Sequence, residues 1–133
     1  MSEQQRILCI DGDEGFRRAV SEQLTREGFA VTSVASETEG LTAAASASFD
    51  LILLDMRLAN QEGLRAYQTL RAQTTTRHVP MVLCTPLATE DYWEEMPYDT
   101  DGPCFVMARS HDLDLLLARV TQLLAEGTIT RRD

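Results

Sequence analysis

The sequence predicts one α/β domain, a doubly wound parallel sheet of five strands with helices on both faces. Three observations lead there. Short apolar runs alternate with helix-period segments five times along the 133 residues, the order that gives parallel sheets with right-handed crossovers. Four of the five runs are almost continuously apolar, as strands buried on both faces are. The length suits a single core and leaves little for a second.

The first strand is predicted at Ile7-Leu8-Cys9-Ile10. Phe16, Ala19, Val20 and Leu24 then recur at helical spacing, and Gly28 is placed to end that helix. The second run, Ala30 to Ala35, alternates apolar and polar residues, which suits an edge strand with one wetter face. The Ala-rich stretch Glu37 to Ser48 reads as a helix on propensity alone. Leu51-Ile52-Leu53-Leu54 is the third strand; Leu64, Tyr67 and Leu70 mark the next helix. Met81-Val82-Leu83-Cys84 is the fourth strand. A short helical segment over Thr89 to Met96 is interrupted by Pro97. The fifth strand runs from Cys104 to Ala108. Leu113, Leu116, Leu117, Val120, Leu123 and Leu124 form a strong last helix, with Asp112 as its expected N-cap and Gly127 past its end. Residues 1–127 form the expected domain, and 128–133 a tail or the start of a linker.

Composition narrows the function classes. The formal net charge is −9, which repels a nucleic-acid backbone and argues against direct DNA binding. No apolar run approaches the roughly 20 residues of a membrane helix, and the first ten residues lack a secretory core, so the cytoplasm is the expected location. Cys9, Cys84 and Cys104 lie in or beside apolar runs without metal-ligand spacing and read as small core residues. All twelve basic residues are Arg; the chain contains no Lys. His78 and His111 fall in predicted loops without metal-like partners. Between Pro86 and Ala108 lie Glu90, Asp91, Glu94, Glu95, Asp99 and Asp101 with Tyr92 and Trp93 and no basic residue, a solvated face or a partner surface.

In a sheet of this kind the carboxyl ends of the strands converge on one pocket. There the first strand delivers Asp11-Gly12-Asp13-Glu14, the third Asp55, the fourth Thr85 and the fifth Arg109. Acidic oxygens hold Mg²⁺; a carboxylate serves as nucleophile toward phosphorus; a hydroxyl and a fixed cation hold the transferred oxygens. The chemistry this assembly suits is in-line phosphoryl transfer onto an aspartate.

The segments ILCIDGDEGFRRAV, FDLILLDMRLANQEGL, VPMVLCT and ARSHDLDLLLARV give residues 5–126 a pattern that resembles the receiver domains of two-component response regulators. The resemblance implies a flavodoxin-like (βα)5 fold with strand order 2-1-3-4-5. It implies Asp55 as phospho-acceptor, Thr85 as the hydroxyl on the phosphoryl group, Asp11 as a Mg²⁺ ligand beside Asp55, and Arg57 as the residue whose backbone carbonyl reaches the metal. It implies a signalling module rather than an enzyme, with a sensor histidine kinase or phosphotransfer protein upstream. Downstream it implies an output protein or domain contacted through the face of the fourth helix, fifth strand and last helix. A homodimer stays open.

The departures from that pattern are as informative. Gly12 stands where the family carries a second acid, and Asp13 follows one place later, able either to substitute as a metal ligand or to cap the first helix. A lost acid should weaken Mg²⁺ binding, since that ion demands near-ideal octahedral geometry. The family's lysine is absent; Arg109 takes its place in one alignment and Met107 in the other. Ser110 and Ala59 stand where prolines are usual, and Val106 or Cys104 where an aromatic switch residue is usual. Two other classes compete: a pseudo-receiver that binds partners without phosphorylation, and a haloacid-dehalogenase-like phosphohydrolase suggested by Asp11-Gly12-Asp13. The second lacks the usual Gly-Thr after its motif and has no room for a cap domain. A flavin-nucleotide binder fits worst, because the first loop is acidic where a phosphate cradle is needed.

Overall fold

The computed structural model describes residues 4–56, 62–85, 104–108 and 113–126. Strands β1 (Arg6–Ile10), β2 (Ala30–Val34), β3 (Leu51–Asp55), β4 (Met81–Thr85) and β5 (Cys104–Ala108) form one sheet. Its order is β2-β1-β3-β4-β5 and every neighbouring pair is parallel. The helices are α1 (Glu14–Arg26), α2 (Glu37–Ser46), α3 (Glu62–Ala72) and α4 (Leu113–Glu126). The segment Thr89 to Met96, the caps Asp112 and Gly127, and the tail from 128 lie outside the described residues.

Alternation of side chains along the strands divides the core in two. Leu8, Ile10, Ile52, Leu54, Met81 and Leu83 pack toward α2 and α3, against Ala44, Ala66, Tyr67 and Leu70. Ile7, Cys9, Leu51, Leu53, Val82 and Cys84 pack toward α1 and α4, against Val20, Leu24, Leu116, Val120 and Leu123. β3 is buried along its whole length, as its unbroken apolar run requires. β2 is the sheet edge, and Thr32 and Ser33 are its exposed residues.

Local chemistry sets the helix ends. Gly28 has φ +101°. Its N–H donates to Thr25 O at 3.0 Å, and the Phe29 N–H to Leu24 O at 3.0 Å. This is a Schellman cap, and the left-handed residue at its centre is the glycine the sequence placed there. α2 ends at Ser46, two residues before the sequence suggests. Its start rests on more than propensity. Ser36 Oγ accepts from the Glu39 N–H at 3.2 Å, while Glu39 Oε1 accepts from the Ala35 N–H at 2.9 Å, a capping-box arrangement.

The connection from α3 to β4 is held from inside. Arg71 is 7% exposed. Its Nη1 donates to Arg77 O at 3.0 Å and Val79 O at 2.7 Å, and its guanidinium lies 5.5 Å from the centre of the Tyr67 ring. Thr76 Oγ1 adds a bond to Leu70 O at 2.5 Å. The charge of Arg71 thus substitutes for water around carbonyls that burial would otherwise orphan.

Candidate functional site at the carboxyl edge of the sheet

β1 and β3 are neighbours, and their register pairs Ile10 with Leu54. Asp11 and Asp55 are the next residues on each strand, so two carboxylates emerge side by side at the carboxyl edge. Both are buried, Asp11 2% and Asp55 3% exposed. Each also raises the pKa of Cys9, one residue pair deeper in the sheet, whose thiol burial already pushes far up. That shared effect is a second sign that the two carboxylates bracket one spot.

The backbone around them is tied down. The Met56 N–H donates to Cys84 O at 2.8 Å, and the Asp11 N–H to Val34 O at 3.1 Å. Asp55 is paired with Cys84 across β3 and β4, so Thr85 ends β4 at the same edge. Thr85 in turn pairs with Ala108, the last residue of β5. Met107 pairs with Cys84 inside the strand. Arg109, the other candidate for the family's lysine, lies outside the described residues, as does Arg57.

Asp13 occupies the N-cap of α1. Its Oδ1 accepts from the Gly15 N–H at 2.9 Å and the Phe16 N–H at 3.3 Å, with extended backbone at φ −94°. Of the two roles open to Asp13 in the sequence, the cap is the one formed here, and it engages an oxygen the metal role would need. The Asp13 N–H donates to Asp11 Oδ1 at 2.8 Å, so the first loop folds back on the Asp11 carboxylate. Gly12 is exposed, and Gly28 is the glycine with positive φ among the described residues. Among those residues, no group of three His, Cys, Asp or Glu side chains is arranged to hold a metal ion. The two buried carboxylates are what the corner offers a divalent cation. A cleft of about 310 Å³ lies beside it, lined by Asp13, Gly15, Phe16, Ala19 and Leu113.

Two residues at this edge escaped the sequence reading. Gly63 lies in the first turn of α3, where an added Cβ would stand 2.7 Å from Met56 Cα and 2.8 Å from Asp55 O. Both atoms are backbone, so α3 approaches the Asp55 loop as closely as it does because residue 63 has no side chain. Arg17, in α1, donates from Nη1 to the Asp11 carbonyl oxygen at 2.8 Å. A signal was present: a cation so near a helix N-terminus opposes the helix dipole and calls for another reason to be there.

Residues 7–99 match the family model of the response regulator receiver domain. The uncharacterized transcriptional regulatory protein YkoG of Bacillus subtilis is 31% identical over 127 residues, which is 96% of this chain and 54% of YkoG. The transcriptional activator protein PfeR of Pseudomonas aeruginosa is 34% identical over 126 residues, 95% of this chain and 40% of PfeR. The chain therefore spans about half the length of these curated relatives or less. Among solved structures, the receiver domain of the sensor histidine kinase PA1611 of Pseudomonas aeruginosa superposes with TM-score 0.79 at 24% identity. The match covers 92% of this chain and 99% of that one, which is described with a magnesium ion coordinated in its active site cleft. Family match, sheet order and paired strand-end carboxylates agree, and the chain belongs to the response regulator receiver domain family.

Proposed function

We propose that this domain accepts a phosphoryl group on Asp55 and passes the signal to an output partner. The observation that carries the reading is the pair of buried carboxylates at adjacent strand ends. Burying two such charges together is costly unless a cation or a reaction uses them. In the proposed step an Asp55 carboxylate oxygen bonds to phosphorus as the donor's P–N bond breaks, and the leaving amine carries the proton away. Asp11 and Asp55, with the Arg57 backbone carbonyl, would hold Mg²⁺, whose charge offsets the repulsion between donor and acceptor. Thr85 and Arg109 would steady the phosphoryl oxygens. The donor is a sensor histidine kinase or a phosphotransfer protein, and the location is the cytoplasm.

With Gly12 in place of the second acid and Asp13 turned into its cap, Mg²⁺ binding is weakened in this reading. The same observation favours a second reading, a pseudo-receiver that recognises partners without phosphorylation. YkoG and PfeR are named as transcriptional proteins. A DNA-binding output would belong to a separate part of a longer regulator, since the charge of −9 on this chain opposes DNA contact.

Incubation with phosphoramidate and Mg²⁺, followed by intact mass, decides between the two readings. Addition of one phosphoryl group to wild type and none to Asp55→Asn supports the acceptor. An unmodified wild type at saturating Mg²⁺ leaves the pseudo-receiver standing.

A further inference from the structure

The acidic corner has a cation of its own. Arg17 sits at the fourth residue of α1, one turn after the Asp13 cap. Its Nη1 is fixed 2.8 Å from the Asp11 carbonyl oxygen, a partly buried bond that aims the guanidinium back over the carboxyl end of β1. Its neighbour Arg18 faces outward instead, paired with Glu14 at 3.0 Å on the exposed side of the helix. The field of Arg17 reaches the interior as well: it lowers the pKa of Cys9, against the opposing effect of Asp11 and Asp55. One thiol thus senses both carboxylates and the guanidinium, which places all three charges around the same few ångströms of sheet edge.

We infer that Arg17 is the resident counter-charge of the Asp11–Asp55 corner, a fixed cation that takes part of the place of a bound divalent ion and competes with it. The inference rests on the acceptor reading above and deepens it. A guanidinium keeps its charge at every accessible pH and is weakly hydrated, so it suits a partly buried post. It eases the approach of a small dianionic donor such as phosphoramidate, where Asp55 forms the O–P bond, the P–N bond breaks and ammonia leaves. It also repels Mg²⁺ from the two carboxylates. The corner would then trade metal affinity for a milder dependence on the metal, consistent with the missing second acid at Gly12.

The test is a calorimetric Mg²⁺ titration of wild type, Arg17→Gln and Arg17→Lys, with phosphoramidate labelling of each in Mg²⁺ and in EDTA. Arg17→Gln should bind Mg²⁺ more tightly, on the order of tenfold, because a like charge near the ion is gone. Its labelling in EDTA should fall by a similar factor, while Arg17→Lys stays near wild type in both. A residue that only braces the loop would not raise metal affinity when removed. Arg17→Met retains the packing of the stem and repeats the measurement if the Gln variant does not fold. Equal Mg²⁺ affinities in a wild type that labels on Asp55 overturn the inference alone. A wild type that never labels overturns the acceptor reading and this inference with it.

Discussion

Gly63→Ala is the sharpest probe of how the acceptor loop is held. The new methyl carbon would lie 2.7 Å from Met56 Cα, 2.8 Å from Asp55 O and 3.1 Å from the Met56 carbonyl carbon. Ordinary contacts of this kind begin near 3.4 Å, so α3 or the loop must yield by several tenths of an ångström. Neither is the free end of a side chain. Overpacking of this sort costs about 1–3 kcal/mol, and the helix propensity of Ala returns at most about 1 kcal/mol. A net loss of about 1–2 kcal/mol is expected, or roughly 3–8 °C in Tm for a domain of this size. Two other glycines calibrate the result. At Gly15 the added carbon meets only Asp13 Oδ1 at 3.4 Å, so Gly15→Ala should be neutral or slightly stabilising. At Gly40 it meets the Ile10 side chain, which can turn away, so Gly40→Ala should fall between them. Urea unfolding of the three variants gives the order directly. If Gly63→Ala matches Gly15→Ala within about 0.3 kcal/mol, the close approach of α3 to Asp55 is not real.

Other perturbations follow from the same geometry. Asp13→Ala should lose about 1 kcal/mol with its cap and Asp13→Asn almost nothing, since Asn caps as well; equal losses in thermal melts would refute the cap. Gly28→Ala should cost about 1–2 kcal/mol, read by urea unfolding, because its φ of +101° is hostile to a side chain. Burial pushes the Cys9 thiol well above its usual 9.0, so above that pH the unfolded chain releases a proton that the folded one keeps. Stability should therefore fall as pH rises past about 9, by up to about 1.4 kcal/mol per unit from this group. Cys9→Ala should flatten that part of the alkaline unfolding curve, and an unchanged slope would refute the assignment.

How far the sequence could be read depended on the range of the interaction involved. Strand count, strand order and the end of α1 at Gly28 follow from local pattern, because burial on both faces and a left-handed cap each leave a residue signature. The convergence of Asp11 and Asp55 followed once the sheet was assumed. The start of α2 was legible and missed: Ser36 and Glu39 have capping-box spacing, but the Ala-rich stretch beyond them drew the reading to propensity. Gly63 and Arg71 were not legible. An arginine in the last turn of a helix reads as a solvated cation, and only the fold reveals that Arg71 turns inward to the carbonyls of residues 77 and 79. The demand at Gly63 comes from a backbone that is distant until β3 and α3 pack together. Asp13 was balanced between two roles because a cap and a ligand ask for the same residue type at the same place.

The placement of the two carboxylates on the central strands has a consequence for how such a domain can change. Asp11 and Asp55 each stand at the last point where the sheet still dictates position, and Gly12 and Asp13 lie just past it, exposed to solvent. Nothing in the two hydrophobic clusters touches position 12. Chemical competence and foldability are therefore written in separate stretches of the chain, a few residues apart. A library randomised at Gly12 should come out almost entirely folded while its members differ widely in their response to Mg²⁺ and phosphodonor. Drift at one loop position can silence or revive the switch without the rest of the protein registering the change.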